Sequence, residues 1–288
     1  MRILVTGTRG FAGSHIARAL AKAGHSVIAA QRSGQAPEGT ELRLLDLAEV
    51  FPLDRDVDAI VHAAATSPQP GVDEAALVRD NVVGTRNLVE VARRAGVRHF
   101  LFFSSLSIYG EVSASEVDED TARHNPDVYG ATKQLGECLA ASLSATASVF
   151  ALRLPGVVGR GAGRNWLSGL LAALRGPGPV SIYNPDAPFN NAVHVDDLAT
   201  FVERLLGAQD PGFAPLTLGA RDTLPVHEVA RQLAKAVGYA GEIRIRPAPR
   251  PAFTVSSRCA IERHGYAPLG LAELLERYAA DEQGAVPT

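Results

Sequence analysis

A chain of 288 residues, 46% of them hydrophobic, can bury a substantial core, enough for one large α/β domain or a nucleotide-binding domain with a smaller companion. Its 28 basic and 31 acidic residues leave a formal charge of −3, which excludes the global basic field that a nucleic-acid partner requires. Cys138 and Cys259, the two cysteines, stand far apart and outside any Cys/His cluster; they exclude a disulfide framework and a zinc site, fit a reducing compartment and read as small buried hydrophobes.

The first strand-like run follows Met1 with no basic leader or cleavage pattern, and no apolar window free of Gly, Pro or charge reaches the roughly 18 residues of a spanning helix. A cytoplasmic protein is expected. Runs Ile3–Thr6, Ser26–Ala30, Glu41–Leu45, Ala59–His62, His99–Phe103 and Val149–Arg153 read as strands. Phe11–Ala23, Glu74–Ala95 and Pro126–Ser144 carry apolar residues at helical spacing between them, with Gly24 and Gly96 as stops. Alternation of this kind forces parallel strands with crossover helices, so the predicted fold is α/β, a doubly wound parallel (Rossmann) sheet with a smaller C-terminal α/β lobe.

After Arg153 the Gly/Pro-rich stretches 155–163 and 175–188 predict departure from the sheet. Residues 1–154 are expected to form the dinucleotide-binding domain, with 192–220 returning to it through a helix at Asp196–Leu206 and a strand at Leu216–Leu218. Residues 155–191 and 221–288 are expected to form the substrate lobe, from Val226–Val237, Ile243–Ile245 and Leu271–Ala279. The tail Gln283–Thr288 is expected to fray.

Directly after the first strand, Thr6-Gly7-Thr8-Arg9-Gly10-Phe11-Ala12-Gly13 places glycines at three-residue intervals across a strand-to-helix turn. Small residues there let backbone approach a pyrophosphate, and the helix N-terminus favours the anion; a plain tight turn is the alternative. The second strand ends Ala29-Ala30-Gln31-Arg32. No acid stands there to bond a ribose 2′-OH, and a guanidinium suits a 2′-phosphate, so NADP is favoured over NAD.

In Asp127-Val128-Tyr129-Gly130-Ala131-Thr132-Lys133, the phenol and the ammonium lie one helical turn apart on one face. An adjacent cation lowers a phenol pKa towards a range useful for proton exchange with an alcohol or carbonyl oxygen. The loop Ser104-Ser105-Leu106-Ser107-Ile108-Tyr109-Gly110 follows the fifth strand at its carboxyl end, where open α/β sheets bind ligands. Spacing alone leaves Ser104, Ser105 and Ser107 open as the hydroxyl that meets the reacting oxygen.

These motifs, with Asp46-Leu47, His62-Ala63-Ala64-Ala65, Asn81-Val82-Val83-Gly84-Thr85 and His194-Val195-Asp196-Asp197, make the chain resemble the extended short-chain dehydrogenase/reductase family over nearly its whole length. That family comprises nucleotide-sugar epimerases, dehydratases and reductases. The resemblance implies Ser105 as the catalytic serine, Tyr129 as the acid/base, and Lys133 as both the ribose ligand and the tuner of Tyr129. It implies cofactor contacts at Gly7, Gly10, Phe11, Gly13, Arg32, Asp46, Leu47, Ala63, Ala65 and Pro155. Ser107, Asn165, Asn191 and Arg250 are the candidate substrate-binding residues. His62 reads as strand-end packing, and no metal is expected.

Departures from the family pattern narrow the reaction. The Asp-Glu pair that dehydratases carry after the catalytic serine is Leu106-Ser107 here, which argues against dehydration. The arginine that many sugar-nucleotide members place before the His-Val-Asp-Asp stretch is absent from Phe189-Asn190-Asn191. The resemblance therefore implies a 4-epimerase or 4-ketoreductase acting at C4 of a nucleotide-activated hexose. Reduction of a non-sugar carbonyl and non-catalytic dinucleotide sensing are the alternatives. A homodimer through Glu74–Ala95 and Pro126–Ser144 is also implied.

Overall fold

The structure is a computed structural model describing residues 1–53, 56–248 and 250–284. Seven strands form the main sheet: β1 (Arg2–Thr6), β2 (Ser26–Gln31), β3 (Glu41–Leu44), β4 (Ala59–His62), β5 (His99–Ser105), β6 (Ser148–Leu154) and β7 (Gly212–Thr217), in the spatial order β7-β6-β5-β4-β1-β2-β3. The pairs β1–β2, β2–β3, β1–β4 and β4–β5 are parallel. Chain order runs outward in both directions from β1, the doubly wound arrangement that the alternating sequence pattern predicts.

The strands start at one edge because backbone bonds stitch their first residues together. Asp58 N donates to Arg2 O at 2.9 Å, Arg98 N to Asp58 O at 3.0 Å, and Ser148 N to Arg98 O at 2.9 Å. Helices α1 (Phe11–Lys22), α2 (Glu74–Val78), α3 (Gly84–Ala95) and α4 (Val128–Ala141) connect them. Leu4, Ile28, Ile60, Phe100 and Phe102 of the strands pack with Leu88, Val89 and Ala140 of the helices in one buried cluster. Each such side chain removed from water contributes about 1.5–3 kcal/mol.

The single helix expected over Glu74–Ala95 is interrupted by one π turn, Arg79–Val83. It is held by tertiary contacts: buried Asn81 donates to Thr66 O at 2.9 Å and to Thr132 Oγ1 at 3.1 Å and accepts from Thr66 N at 2.8 Å, bonds that reward the wider turn.

The chain divides into two compact units, 1–111 with 122–153 and 198–216, and 112–121 with 154–197 and 217–288. Two segments group otherwise than sequence composition suggests, and strand pairing explains both. Ala192–His194 pairs in parallel with Gly156–Val158, and Glu116–Val117 with Thr254–Val255. The second unit has its own core, with Leu167, Leu171, Ile182, Val229, Leu233 and Leu274 nearly inaccessible. Its last helix, Leu271–Gln283, reaches into the tail expected to fray; residues 285–288 lie outside those described. Among the described residues no helix is long and apolar enough to cross a membrane.

Candidate active site

The turn after β1 is built on missing side chains. Gly7 has φ +74°, and a Cβ on it would lie 2.6 Å from Ala64 Cα, while one on Gly13 would lie 2.4 Å from Gly7 O. Gly10 precedes α1 in extended conformation, and no side chain caps that helix. Its first-turn N–H groups are thus left to an anion, at the switch point between β1 and β4. Phe11 opens the helix with its ring 4.9 Å from that of His15. A pyrophosphate fits this cradle, where any Cβ at Gly7 or Gly13 would collide with backbone.

Around the turn the other predicted cofactor residues take definite places. Half-buried Ala63 and exposed Ala65 follow β4. Asp46 accepts from Ala48 N at 2.9 Å and from Arg79 Nη2 at 2.6 Å. Burial opposes its ionisation, but these bonds prevail and hold the carboxyl below its usual range. Leu47 accepts from Asn87 at its carbonyl and lies against Gly84. Gln31, at the end of β2, is buried and accepts from Thr8 Oγ1 at 2.8 Å. Exposed Arg32 bonds Asp80 at 3.1 Å, and Arg9 Nη1 donates to Ser33 Oγ at 2.9 Å. Arg9 was visible in the glycine turn, yet its spacing carries no signal for β2.

Helix α4 brings the phenol and the ammonium together. Asp127 caps it, accepting from Gly130 N at 2.7 Å. Tyr129 and Lys133 follow on one face, with Lys133 Nζ 5.9 Å from the Tyr129 ring centroid. The Tyr129 hydroxyl is in the neighbourhood of Ser67 and Ser105, whose side chains act to lower it. Ser105 Oγ also accepts from Ser107 N at 3.1 Å and donates to Ser107 Oγ at 3.1 Å. Of the three serines left open by spacing, Ser105 is therefore the one on the phenol. Ser104 is buried and donates to Glu137 instead.

The electrostatics differ from the expectation that Lys133 lowers the phenol. Burial pushes the Tyr129 hydroxyl up, and the side chains of Ser67 and Ser105 only partly offset it. Lys133 is itself buried, donates to Phe103 O at 2.7 Å and lies 5.0 Å from the Phe102 ring centroid; that burial pulls it down to about 7. Ser67 was not anticipated, since nothing in its sequence context marks it.

His62 is wholly buried, with Nδ1 2.8 Å from Thr6 Oγ1 and Nε2 2.9 Å from Thr85 Oγ1. Both ring nitrogens are engaged in packing contacts, and among the described residues no three His, Cys, Asp or Glu side chains group as metal ligands. Cys138 is exposed on α4 and Cys259 half-buried, which corrects the reading of both as buried hydrophobes.

In the second unit, Pro155 is half-buried. Asn165 caps the helix Trp166–Leu174 through Ser168 N at 2.8 Å, and donates to Val157 O at 2.9 Å. Its amide is largely committed to the backbone. Asn190 is buried and bonds Val255 N and O, both at 2.8 Å. Asn191 Oδ1 is buried without a hydrogen-bond partner. Arg250 is exposed and accepts at its carbonyl from Asn184; Pro249 before it lies outside the described residues.

Comparison with known proteins gives the family and the fold. Residues 3–217 match the model of the NAD dependent epimerase/dehydratase family. The chain is 28% identical over 270 residues to a UDP-glucose 4-epimerase of Streptomyces lividans, covering 83% of this chain and 82% of that protein. It is 26% identical over 275 residues to a dTDP-4-dehydro-6-deoxy-D-allose reductase of Streptomyces bikiniensis, covering 85% and 84%. The solved structure of MoeE5 in complex with UDP-glucuronic acid and NAD superposes with a TM-score of 0.82 at 29% identity, over 98% of this chain and 97% of that one.

The depressed His62 makes a testable statement about pH. Held at about 3 in the fold against 6.5 as the ordinary value, it stays neutral in the native protein while the unfolded chain takes up a proton. Its contribution is complete above pH 6.5 and is lost as pH falls towards 3, at up to about 1.4 kcal/mol per pH unit for one proton. In denaturant titrations between pH 7 and pH 4, His62→Gln is expected to lose less stability than the parent; equal losses would refute it.

Proposed function

The chain belongs to the NAD dependent epimerase/dehydratase family, and we propose that it transfers hydride at a sugar carbon, C4, of a nucleotide-activated hexose, as a 4-epimerase or 4-ketoreductase. The observation that carries this reading is the Tyr129 phenol, 5.9 Å at its ring centroid from the buried ammonium of Lys133, on the helix face that meets the Ser105 loop. When bound, the dinucleotide supplies or accepts the hydride.

Gly7, Gly10, Phe11 and Gly13 would hold its pyrophosphate, Asp46 and Leu47 its adenine end, Ala63 and Ala65 its midsection. Lys133 would bond its ribose. Tyr129 Oη takes the proton of the C4 hydroxyl on oxidation and returns one to the carbonyl oxygen on reduction, while Ser105 Oγ orients that oxygen. A phenol raised by burial is poised to donate, and a positive charge on Lys133 stabilises the phenolate left behind. Leu106 and Ser107 provide no carboxyl for elimination. Ser107 Oγ and the unpartnered Asn191 Oδ1 are the polar groups assigned to substrate. The commitment of Asn190 to backbone supports a second reading, reduction of a non-sugar carbonyl, because no cation stands at that position for a diphosphate.

We assign NADP over NAD. Gln31 is neutral and buried, and Arg32 just after β2 and Arg9 on Ser33 offer guanidinium groups for a 2′-phosphate. A homodimer through α2, α3 and α4 completes the proposal: Val78, Val83 and Leu135 are exposed there, and a monomer mass in light scattering would contradict it.

Two experiments test the chemistry. Tyr129→Phe should lower turnover by about 10²–10⁴-fold with cofactor affinity kept, assayed with UDP-hexoses and NAD, with 4-keto sugar nucleotides and NADPH, and with non-sugar ketones. Full activity in Tyr129→Phe would remove the role of the hydroxyl. In fluorescence titrations NADPH should bind more tightly than NADH, and Arg32→Ala should weaken NADPH about tenfold with little change for NADH. Tighter NADH binding, unaltered by the substitution, would reverse the assignment.

A further inference from the structure

Glu137 lies on α4 one turn beyond Lys133, as Lys133 lies one turn beyond Tyr129, and the proposed proton transfer makes no use of it. It is 2% exposed, yet four groups converge on its carboxylate. Ser104 Oγ donates at 2.6 Å to Oε1, Arg153 through Nε at 3.1 Å to Oε1 and through Nη2 at 3.0 Å to Oε2, and Arg123 at 3.1 Å to Oε2. Arg153, 1% exposed, donates its remaining arm to buried Tyr109 at 3.0 Å. One side chain thus joins α4 to the end of β5, to β6 and to the turn that follows Ser105.

A network so deeply buried is not required for stability alone, since buried ion pairs rarely outperform apolar packing of the same shape. What distinguishes this one is its place. The groups facing Lys133 are Tyr129 and Glu137 on its own helix, His62 on β4, and the Phe103 carbonyl and Phe102 ring on β5. The π turn contributes neutral Asn81, through Thr132. Behind Glu137 stand Arg153 and Arg123, both cations. Within this set Glu137 is the negative charge.

We propose that Glu137 is a positioning residue: through Ser104 it sets the serine loop against α4, and as the buried negative charge on the helix it keeps the Lys133 ammonium charged. The inference rests on the reading of Lys133 as part of the reacting pair. Burial draws Lys133 down and Glu137 acts against it, leaving it at about 7. Without the carboxylate, nothing in this set opposes the burial of the lysine, and its proton would be lost at lower pH. Glu137 thereby extends upward the pH range over which the phenolate of Tyr129 has a cation beside it.

The chain has three lysines, Lys22, Lys133 and Lys235, so full-length protein labelled with 13C at lysine Cε gives three resonances, with Lys133 identified by its loss in Lys133→Met. Neither cofactor nor substrate is needed. In a pH titration Lys133 is expected to have the lowest midpoint of the three, Glu137→Gln to move it down by roughly half a unit or more, and Arg123→Gln to move it up. A purely structural role gives the opposite sign for Glu137→Gln, because a loosened helix admits water and lets the midpoint climb. An unmoved or raised midpoint in Glu137→Gln would overturn the proposal. Should that variant not fold, partly exposed Arg123 carries the test, and an unmoved or lowered midpoint in Arg123→Gln overturns it. Loss of activity in Tyr129→Phe together with an unmoved Lys133 midpoint in Glu137→Gln would leave the enzymatic reading standing and sink this inference alone.

Discussion

Helix α4 reaches the end of β5 only because two of its residues have no side chain. A Cβ on Gly130 would stand 2.2 Å from Ser107 O, and one on Gly136 would stand 2.4 Å from the Phe102 ring. Close approach at those two points puts Tyr129 on Ser105, seats Lys133 over Phe102 and against Phe103 O, and lets Glu137 reach Ser104. The same economy governs the turn after β1, where Gly7 and Gly13 clear the path for an anion. Catalytic geometry and cofactor cradle both follow from backbone surfaces brought closer than any side chain would permit.

Burial at that contact has an electrostatic consequence. Phenol, ammonium and imidazole all lose solvation there, so Tyr129 moves up while Lys133 and His62 move down, each towards its neutral form. Neighbouring charges then decide which groups stay ionised. Burial and the charge of Lys133 hold His62 neutral, whereas Glu137 works to keep Lys133 charged. The proton transfer proposed for Tyr129 would therefore depend on Glu137, a side chain buried in the core.

What could be read in the sequence follows from distance along the chain. The glycine turn, the strand alternation and the four-residue spacing of Tyr129 and Lys133 are local patterns, and the sheet order and their shared helical face agree with them. Glu137 was legible by the same spacing, one more turn along, but its meaning depends on Arg153, sixteen residues away on another strand. Ser67 and the inserted Asn81 likewise acquire roles only through contacts made in three dimensions. Asn190 shows the limit from the other side: the absence of an arginine was visible, whereas the inward turn of the amide towards Val255 was not. The direction of the tyrosine shift was misjudged for a related reason, since adjacency of a cation is readable in sequence and desolvation is not.

The central claim is that the phenol and ammonium of α4 serve hydride transfer and not simple deprotonation of a sugar. The most direct measurement follows the label from UDP-hexoses deuterated at C4, incubated with oxidised dinucleotide. Hydride transfer predicts that deuterium passes to the reduced nicotinamide or returns to C4 of the product, with none in water. Deuterium appearing in the solvent while the nicotinamide stays unlabelled would contradict the account.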